Sequence, residues 1–353
     1  MSRFLSREAG TLDPYTPGEQ PQEQQYVKLN TNESPFPPSP EVVKALNRAE
    51  AEKLNLYSDP TCKQLNEAIA ARYGLRPEQV LTGNGSDELL AFAVRAFCGE
   101  GKGLAYADIT YGFYKVWARL YGLASRVIPL REDFSLRVED YFGGSETVLI
   151  ANPNAPTGMA VSPAEIRRLL EENPNRVVVV DEAYVDFGAE SCVSLIPEYK
   201  NLLVIGTFSK SRNLAGARIG FAMGPEELIA DVNRVKYSFN PYNVNRLSLA
   251  AGAAAMADEA YFLACTAEIQ KTRAFAVREL EALGFTVLPS CANFLFAKSD
   301  RVSGGDLYRR LKAAGILVRH FDAPRIKDYC RITVGSRVQM ETLVTGVKKI
   351  LEV

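Results

Sequence analysis

Hydrophobic positions along the chain follow two rhythms. Short apolar runs recur at Val80–Thr82, Gly103–Tyr106, Arg126–Ile128, Thr147–Ile150, Val177–Val180, Leu202–Gly206 and Ile219–Met223. Between them lie stretches whose apolar residues return every three or four positions, the spacing of a helix that buries one face. Four consecutive valines ending at Asp181 suit a parallel strand covered on both faces, because β-branched side chains pack well on a pleated surface with no wet side. Strands alternating with helices predict an α/β fold with a large, doubly wound, mostly parallel sheet.

The pattern changes at both ends. Residues 1–40 are rich in Pro, Gln and Glu and weakly periodic, and they read as an extended arm that needs a surface to lie on, either a small domain or a partner subunit. From Glu41 to Arg72 the pattern is helical, interrupted around Tyr57-Ser58-Asp59-Pro60. Residues 41–245 form the predicted large domain. Residues 246–353 predict a smaller α+β domain. It comprises a long helix with an Ala-rich start, strands at Phe285–Leu288, Phe294–Ala297, Ile316–Arg319 and Cys330–Val334, and helices near Asp306–Ala314 and at the end.

Composition narrows the possibilities. With 353 residues, 47% of them hydrophobic, the chain can bury one large core or two that share an interface. A net charge of −1 supplies no basic field, which argues against nucleic acid as a partner. No apolar run approaches the roughly 20 residues of a membrane span. The first ten residues lack the apolar core of a signal peptide. Six cysteines are scattered without a CxxC pair, so they read as reduced thiols of a cytoplasmic protein. His320 is the single histidine, which excludes a multi-histidine metal centre and leaves no metal expected.

Several residues sit where chemistry is expected. Ser209-Lys210 follows the run Leu202–Gly206, and Arg218 comes eight residues after the lysine. A hydroxyl and a guanidinium suit a phosphate, and an amine suits condensation with an aldehyde. Asp181 ends its strand where open α/β sheets bind ligands, and Tyr184 follows it by three residues. Gly83-Asn84-Gly85-Ser86-Asp87 opens a helix whose free N–H groups make an anion site, although Ser86 or Asp87 could simply cap the helix. Tyr111 follows a predicted strand and could stack on a ring or pack in the core. Arg319 and Arg331 end late strands, and if they converge they bind an anion. The third glycine of a dinucleotide fingerprint is replaced by Glu88, and neither a Walker A pattern nor a GxSxG elbow is present.

Taken together, the segments LDPYTPG, KLNTNESP, LNLYSDP, GNGSDE, NPNAPTG, VVVVDEAYVDF, TFSKSRNLAGARIG and CRITVG resemble, in order and spacing, the fold-type-I pyridoxal-phosphate (PLP) aminotransferases. Within that group the chain is most similar to the histidinol-phosphate aminotransferase family. The resemblance implies that Lys210 holds PLP covalently, that Asp181 pairs with its ring nitrogen, that Tyr184 touches its ring oxygen and that Tyr111 stacks on the ring. Ser86, Asp87, Ser209 and Arg218 would surround the phosphate. Tyr57 would reach the phosphate of a neighbouring subunit, which implies a homodimer with shared active sites. Tyr15, Arg319 and Arg331 would hold the far anion of the substrate.

One position departs from the family pattern. Ala155 stands where an asparagine commonly bonds the ring oxygen, leaving Tyr184, or Asn154 beside it, to take up the task. The implied reaction is transamination of histidinol phosphate with 2-oxoglutarate, giving glutamate, in histidine biosynthesis. An aromatic aminotransferase or a threonine-phosphate-type PLP decarboxylase would use the same residues. A PLP-binding effector domain of a transcription regulator would need a DNA-binding module, and no helix-turn-helix segment or basic patch appears.

Overall fold

The computed structural model describes residues 5–352. Seven strands form the central sheet: β1 (Val80–Gly83), β2 (Leu104–Ala107), β3 (Ser125–Ile128), β4 (Thr147–Ala151), β5 (Val178–Asp181), β6 (Leu202–Thr207) and β7 (Gly220–Met223). Their spatial order is β1-β7-β6-β5-β4-β2-β3. All pairings are parallel except those of β7, which runs antiparallel to both β1 and β6.

Period-two alternation along these strands feeds two cores. Val148, Ile150, Val178, Val180, Leu202 and Val204 face one side with Ile166, Leu169 and Phe208. Leu149, Val179, Leu203 and Ile205 face the other with Leu89, Leu90, Tyr114 and Trp117. This two-sided burial explains the continuous apolar runs. Helices cover both faces. One of them, Pro163–Glu171, starts at Ser162, whose hydroxyl accepts from Glu165 N while the Glu165 carboxylate reaches back, and Pro163 sits where no N–H is needed.

The long Ala-rich helix expected after Asn245 is two helices, Arg246–Ala257 and Glu259–Ala282. Asp258 between them caps the second, accepting from Tyr261 N at 3.2 Å. Ala251, Ala255 and Met256 of the first helix belong to the core on one face of the central sheet. The second helix opens a separate core with Ile269, Ala276 and Leu280, joined by Leu311, Ile332, Leu343 and Val347. A four-stranded antiparallel sheet lies in that core: β8 (Phe285–Val287), β9 (Phe294–Ser299), β10 (Arg319–His320) and β11 (Tyr329–Thr333), in the order β10-β11-β9-β8.

The arm is anchored. Val27–Lys28 pairs in parallel with Ile316–Leu317, and Leu29 enters the second core. That pairing divides the single strand expected at Ile316–Arg319. Its first half bonds the arm, and its second half, β10, bonds β11. All six cysteines are free thiols. Among the described residues no helix is long and apolar enough to cross a membrane, and no cluster of His, Cys, Asp and Glu could hold a metal.

Ile332 is fully buried in the second core, opposite Leu295 on β9. Ile332→Ala is expected to cost about 2–5 kcal/mol through lost burial and the cavity left behind, read from urea unfolding of the cofactor-free protein.

Candidate active site

The strands deliver their ends to one edge of the sheet. The carboxyl ends of β1, β2, β4, β5 and β6 meet there, and because β7 is reversed its first residue does too. A cavity of about 440 Å3 opens at this edge. Tyr15, Ser86, Asp87, Tyr111, Asp181, Tyr184, Ser209, Lys210, Arg218, Arg319 and Arg331 all line it, so eleven of the twelve residues singled out from sequence converge. Tyr57 is the exception. It is 79% exposed, stacks on Tyr242 with ring centroids 4.5 Å apart, and lies outside the cavity of its own chain.

Lys210 follows β6 in a tight loop. Its Nζ donates to the carbonyl of Thr31 in the arm at 3.3 Å and lies 5.8 Å from the centre of the Tyr184 ring. Burial, and then the nearby charge of Arg331, push its amine down to about 8. Such an amine is partly neutral near physiological pH, as a nucleophile or proton carrier requires.

Asp181 is held ready as a carboxylate. Tyr114 donates to Oδ2 at 2.8 Å and Ala183 N donates to Oδ1 at 3.2 Å. Burial outweighs these bonds and lifts its acid to about 6. The carboxylate is therefore still ionised at neutral pH but desolvated, a strong partner for a cation. Sequence reasoning missed Tyr114. It is fully buried in the first turn of the Phe113–Leu120 helix, behind Tyr111, whose ring it meets edge-on at 5.7 Å.

The anion site is built from backbone. Ser86–Phe97 begins at Gly85, which has φ +82 and no side-chain cap, so its first N–H groups are unclaimed by a capping side chain. The Arg218 guanidinium lies over this turn, so close that a Cβ on Gly85 would sit 2.6 Å from Nη2. Arg218 Nη1 also approaches Ser209 Oγ at 3.4 Å. Gly220 packs directly on the Gly85–Ser86 peptide, leaving no room for a side chain. The Asp87 carboxylate is committed to Tyr111 OH at 2.9 Å and to Arg218 at 3.6 Å, so its backbone N–H is what remains for an anion.

A second group of cations comes from the small sheet. Arg319 and Arg331 face each other in the β10–β11 register. Neither forms an ion pair among the described residues. Arg331 Nη2 donates to Asn30 O at 3.1 Å, while its Nε is buried without a partner. Burial lowers its affinity for a proton, and Arg319 adds to that effect. Arg319 donates to Thr16 O and Pro17 O at 3.0 and 3.1 Å, holding the arm so that Tyr15 stacks on Phe113 at 4.3 Å beside Tyr111. Two adjacent guanidiniums without a carboxylate make an anion site.

Ala155 lines the cavity with no donor to offer. Asn154 does not compensate. Its amide donates to Ile109 O and Thr157 Oγ1, and its oxygen accepts from Thr110, so it is consumed in shaping the turn. Asn32, also missed from sequence although it lies in KLNTNESP, donates to Tyr184 OH at 3.0 Å.

An amine, a desolvated carboxylate and two anion sites in one cavity fit a phosphorylated aldehyde with a basic ring nitrogen. The protein family described as aminotransferase class I and II matches residues 24–347. The chain belongs to this family. It is 46% identical over 351 residues to a histidinol-phosphate aminotransferase of Clostridium botulinum, covering 99% of both chains. It is 51% identical over 351 residues to histidinol-phosphate aminotransferase 1 of Bradyrhizobium diazoefficiens, covering 99% of this chain and all of that one. Its fold superposes with a TM-score of 0.88 on the Sinorhizobium meliloti histidinol-phosphate aminotransferase, solved with pyridoxal-5′-phosphate, over 100% of this chain and 98% of that chain at 23% identity.

The lowered proton affinity of Lys210 has a direct readout. In cofactor-free protein, condensation of Lys210 with a small aldehyde, trapped by borohydride and quantified by peptide mass, is expected to accelerate about tenfold per pH unit up to about 8 and then level off. A rate that keeps climbing to pH 10 would show an ordinary exposed lysine instead.

Proposed function

We propose that this aminotransferase uses PLP to transaminate histidinol phosphate with 2-oxoglutarate, giving imidazole acetol phosphate and glutamate, in histidine biosynthesis. The observation that carries this reading is the Arg319–Arg331 pair, a second anion site in the cavity that already has one at Arg218. One site suits the phosphate of the cofactor. The other suits an anionic group on the substrate, phosphate in the donor and carboxylate in the acceptor. The relatives at 46–51% identity are named for a substrate that carries that phosphate.

When bound, PLP supplies an aldehyde that condenses with amines and a cationic ring that takes up an electron pair. The chain's residues do the rest. Ser86 and Asp87 through the helix start, with Ser209 and Arg218, hold the phosphate. The Tyr111 ring covers one face of the site. Asp181, kept ionised by Tyr114 and Ala183 N, retains a proton on the ring nitrogen. Tyr184 donates to the ring oxygen. Lys210 would hold the cofactor, and its neutral Nζ, once free, would take the α-proton of the substrate and return it on the same face to the cofactor carbon. Tyr15 and the arm cover the site and exclude water, while Arg319 and Arg331 hold the far end of the substrate. Donor and acceptor occupy the same place in turn, so the kinetics are ping-pong.

Arg331→Met is expected to raise the KM for histidinol phosphate about tenfold or more, since a lost charge-assisted bond to an anion costs about 1.5–3 kcal/mol. Histidinol, which lacks the phosphate, should be affected far less. Equal losses for both amines would remove the phosphate from this site, and release of carbon dioxide from threonine phosphate would identify a decarboxylase.

We further propose a cytoplasmic homodimer with shared sites. Leu54, Leu56, Tyr57, Phe239 and Tyr242 are all exposed, and Tyr57 stacks on Tyr242, which supports an apolar surface of the kind a partner subunit covers. Lys210→Ala and Tyr57→Ala subunits, each nearly inactive alone, are expected to recover about one quarter of wild-type activity when mixed and allowed to exchange. Half of the random dimers are then hybrids, each with one intact site. No recovery after exchange confirmed by mass would place Tyr57 outside the partner's site.

A further inference from the structure

Asn32 is 1% exposed and lies in the left-handed region at φ 55, a conformation that asparagine tolerates better than most residues. Each of its polar atoms is engaged. Its N–H donates to Thr333 Oγ1 at 3.0 Å, and its carbonyl accepts from Asn293 Nδ2 at 3.0 Å. The Thr333 hydroxyl donates its one hydrogen to Asn32 Oδ1 at 3.1 Å. With the Thr333 hydrogen given to Oδ1, the nitrogen is the end of the amide that faces the tyrosine. Nδ2 is thereby turned to Tyr184 OH at 3.0 Å. The phenol oxygen accepts from Asn32, so its own hydrogen is left for an acceptor in the cavity. Tyr184 also packs on an apolar group, Ala155, Ala292 and Phe294, whose ring meets the tyrosine edge-on at 5.0 Å.

We propose that Asn32, clamped by Thr333 and Asn293, is a positioning residue that makes Tyr184 a one-directional hydrogen-bond donor to the ring oxygen of the cofactor, a task that Ala155 cannot share. The arm therefore does more than cover the site. It carries a polar group that sets the direction of a bond made by a residue of the DEAY segment after β5. This inference rests on the reading that Lys210 holds PLP.

The test uses holoenzyme and cofactor-free protein. Asn32→Gly keeps the backbone conformation accessible and removes the amide without adding charge. A ring oxygen that lacks a fixed donor holds the proton of the lysine nitrogen more tightly. The pH midpoint of the visible absorbance is therefore expected to rise by about half to one unit, and the PLP dissociation constant to rise about threefold to tenfold, as loss of one hydrogen bond implies. Tyr184→Phe should shift the midpoint in the same direction. Asn32→Gly in that background should shift it no further, because the two residues act through one bond. An unchanged midpoint in Asn32→Gly, or a shift that adds in full to that of Tyr184→Phe, overturns the proposal. A lower melting temperature of the cofactor-free protein without a midpoint shift overturns it equally, since that is what a merely structural residue gives. If Asn32→Gly does not fold, Thr333→Val decides. It frees the amide to rotate and should raise the midpoint in part, and no change would sink the idea. Wild-type protein without a visible band that Lys210→Ala removes would refute the Lys210 reading itself, separately from Asn32.

Discussion

Burying an amine is costly unless something makes its neutral form useful, and Lys210 is the group around which the remaining arrangement makes sense. Its nitrogen has one carbonyl neighbour, from Thr31, and the guanidiniums of Arg331 and Arg218 act on it from either group of cations. Desolvation and like charge both favour the uncharged form. Those same cations suit an anionic ligand, so one set of charges keeps the lysine reactive and attracts the molecules it reacts with. Asp181 supplies the counterweight. It is a buried carboxylate whose ionised form is favoured by Tyr114 and one backbone N–H.

The cavity needs rigid walls for this balance to hold. Tyr111 meets Tyr15, Tyr114 and Trp117 edge-on while Phe113 stacks on Tyr15 and Trp117, so the cover from the arm and the floor from the Phe113–Leu120 helix are parts of the same cluster. Edge-to-face contacts fix ring orientation as well as bury area. Position 111 can therefore be a core residue and a ring-stacking residue at once, and the two readings open at the level of sequence are not exclusive.

Much of this was legible in the chain. The seven apolar runs became the seven central strands with ends moved by a residue or so, because a two-sided sheet writes itself as unbroken hydrophobic sequence. The lysine, the aspartate and the two late arginines were recognisable because their types and order resembled a family. What stayed hidden depended on long-range partners. The Ile316–Arg319 run gave no sign that half of it pairs with Val27–Lys28, nearly three hundred residues earlier. Asn32 and Tyr114 have ordinary local contexts, and their roles arise from neighbours 152 and 67 residues away. Asn154 illustrates the reverse case. A chemically suitable amide next to the site was spent on its own turn, which only geometry could reveal.

The reversed strand β7 gives the site an internal ruler. Because β7 starts at the sheet edge, the chain passes from Lys210 to Arg218 in a single loop between β6 and β7. A ligand gripped at its reactive carbon by one residue and at its phosphate by the other is measured against eight residues of one rigid body. Arg319 and Arg331 ride on the other sheet, with the second core beneath them. Any displacement of one core against the other leaves the cofactor's span untouched and changes only the reach to the far end of the substrate. The span between Lys210 and Arg218 is thus set within one sheet, and the distance to Arg319 and Arg331 by how the second sheet packs against the first.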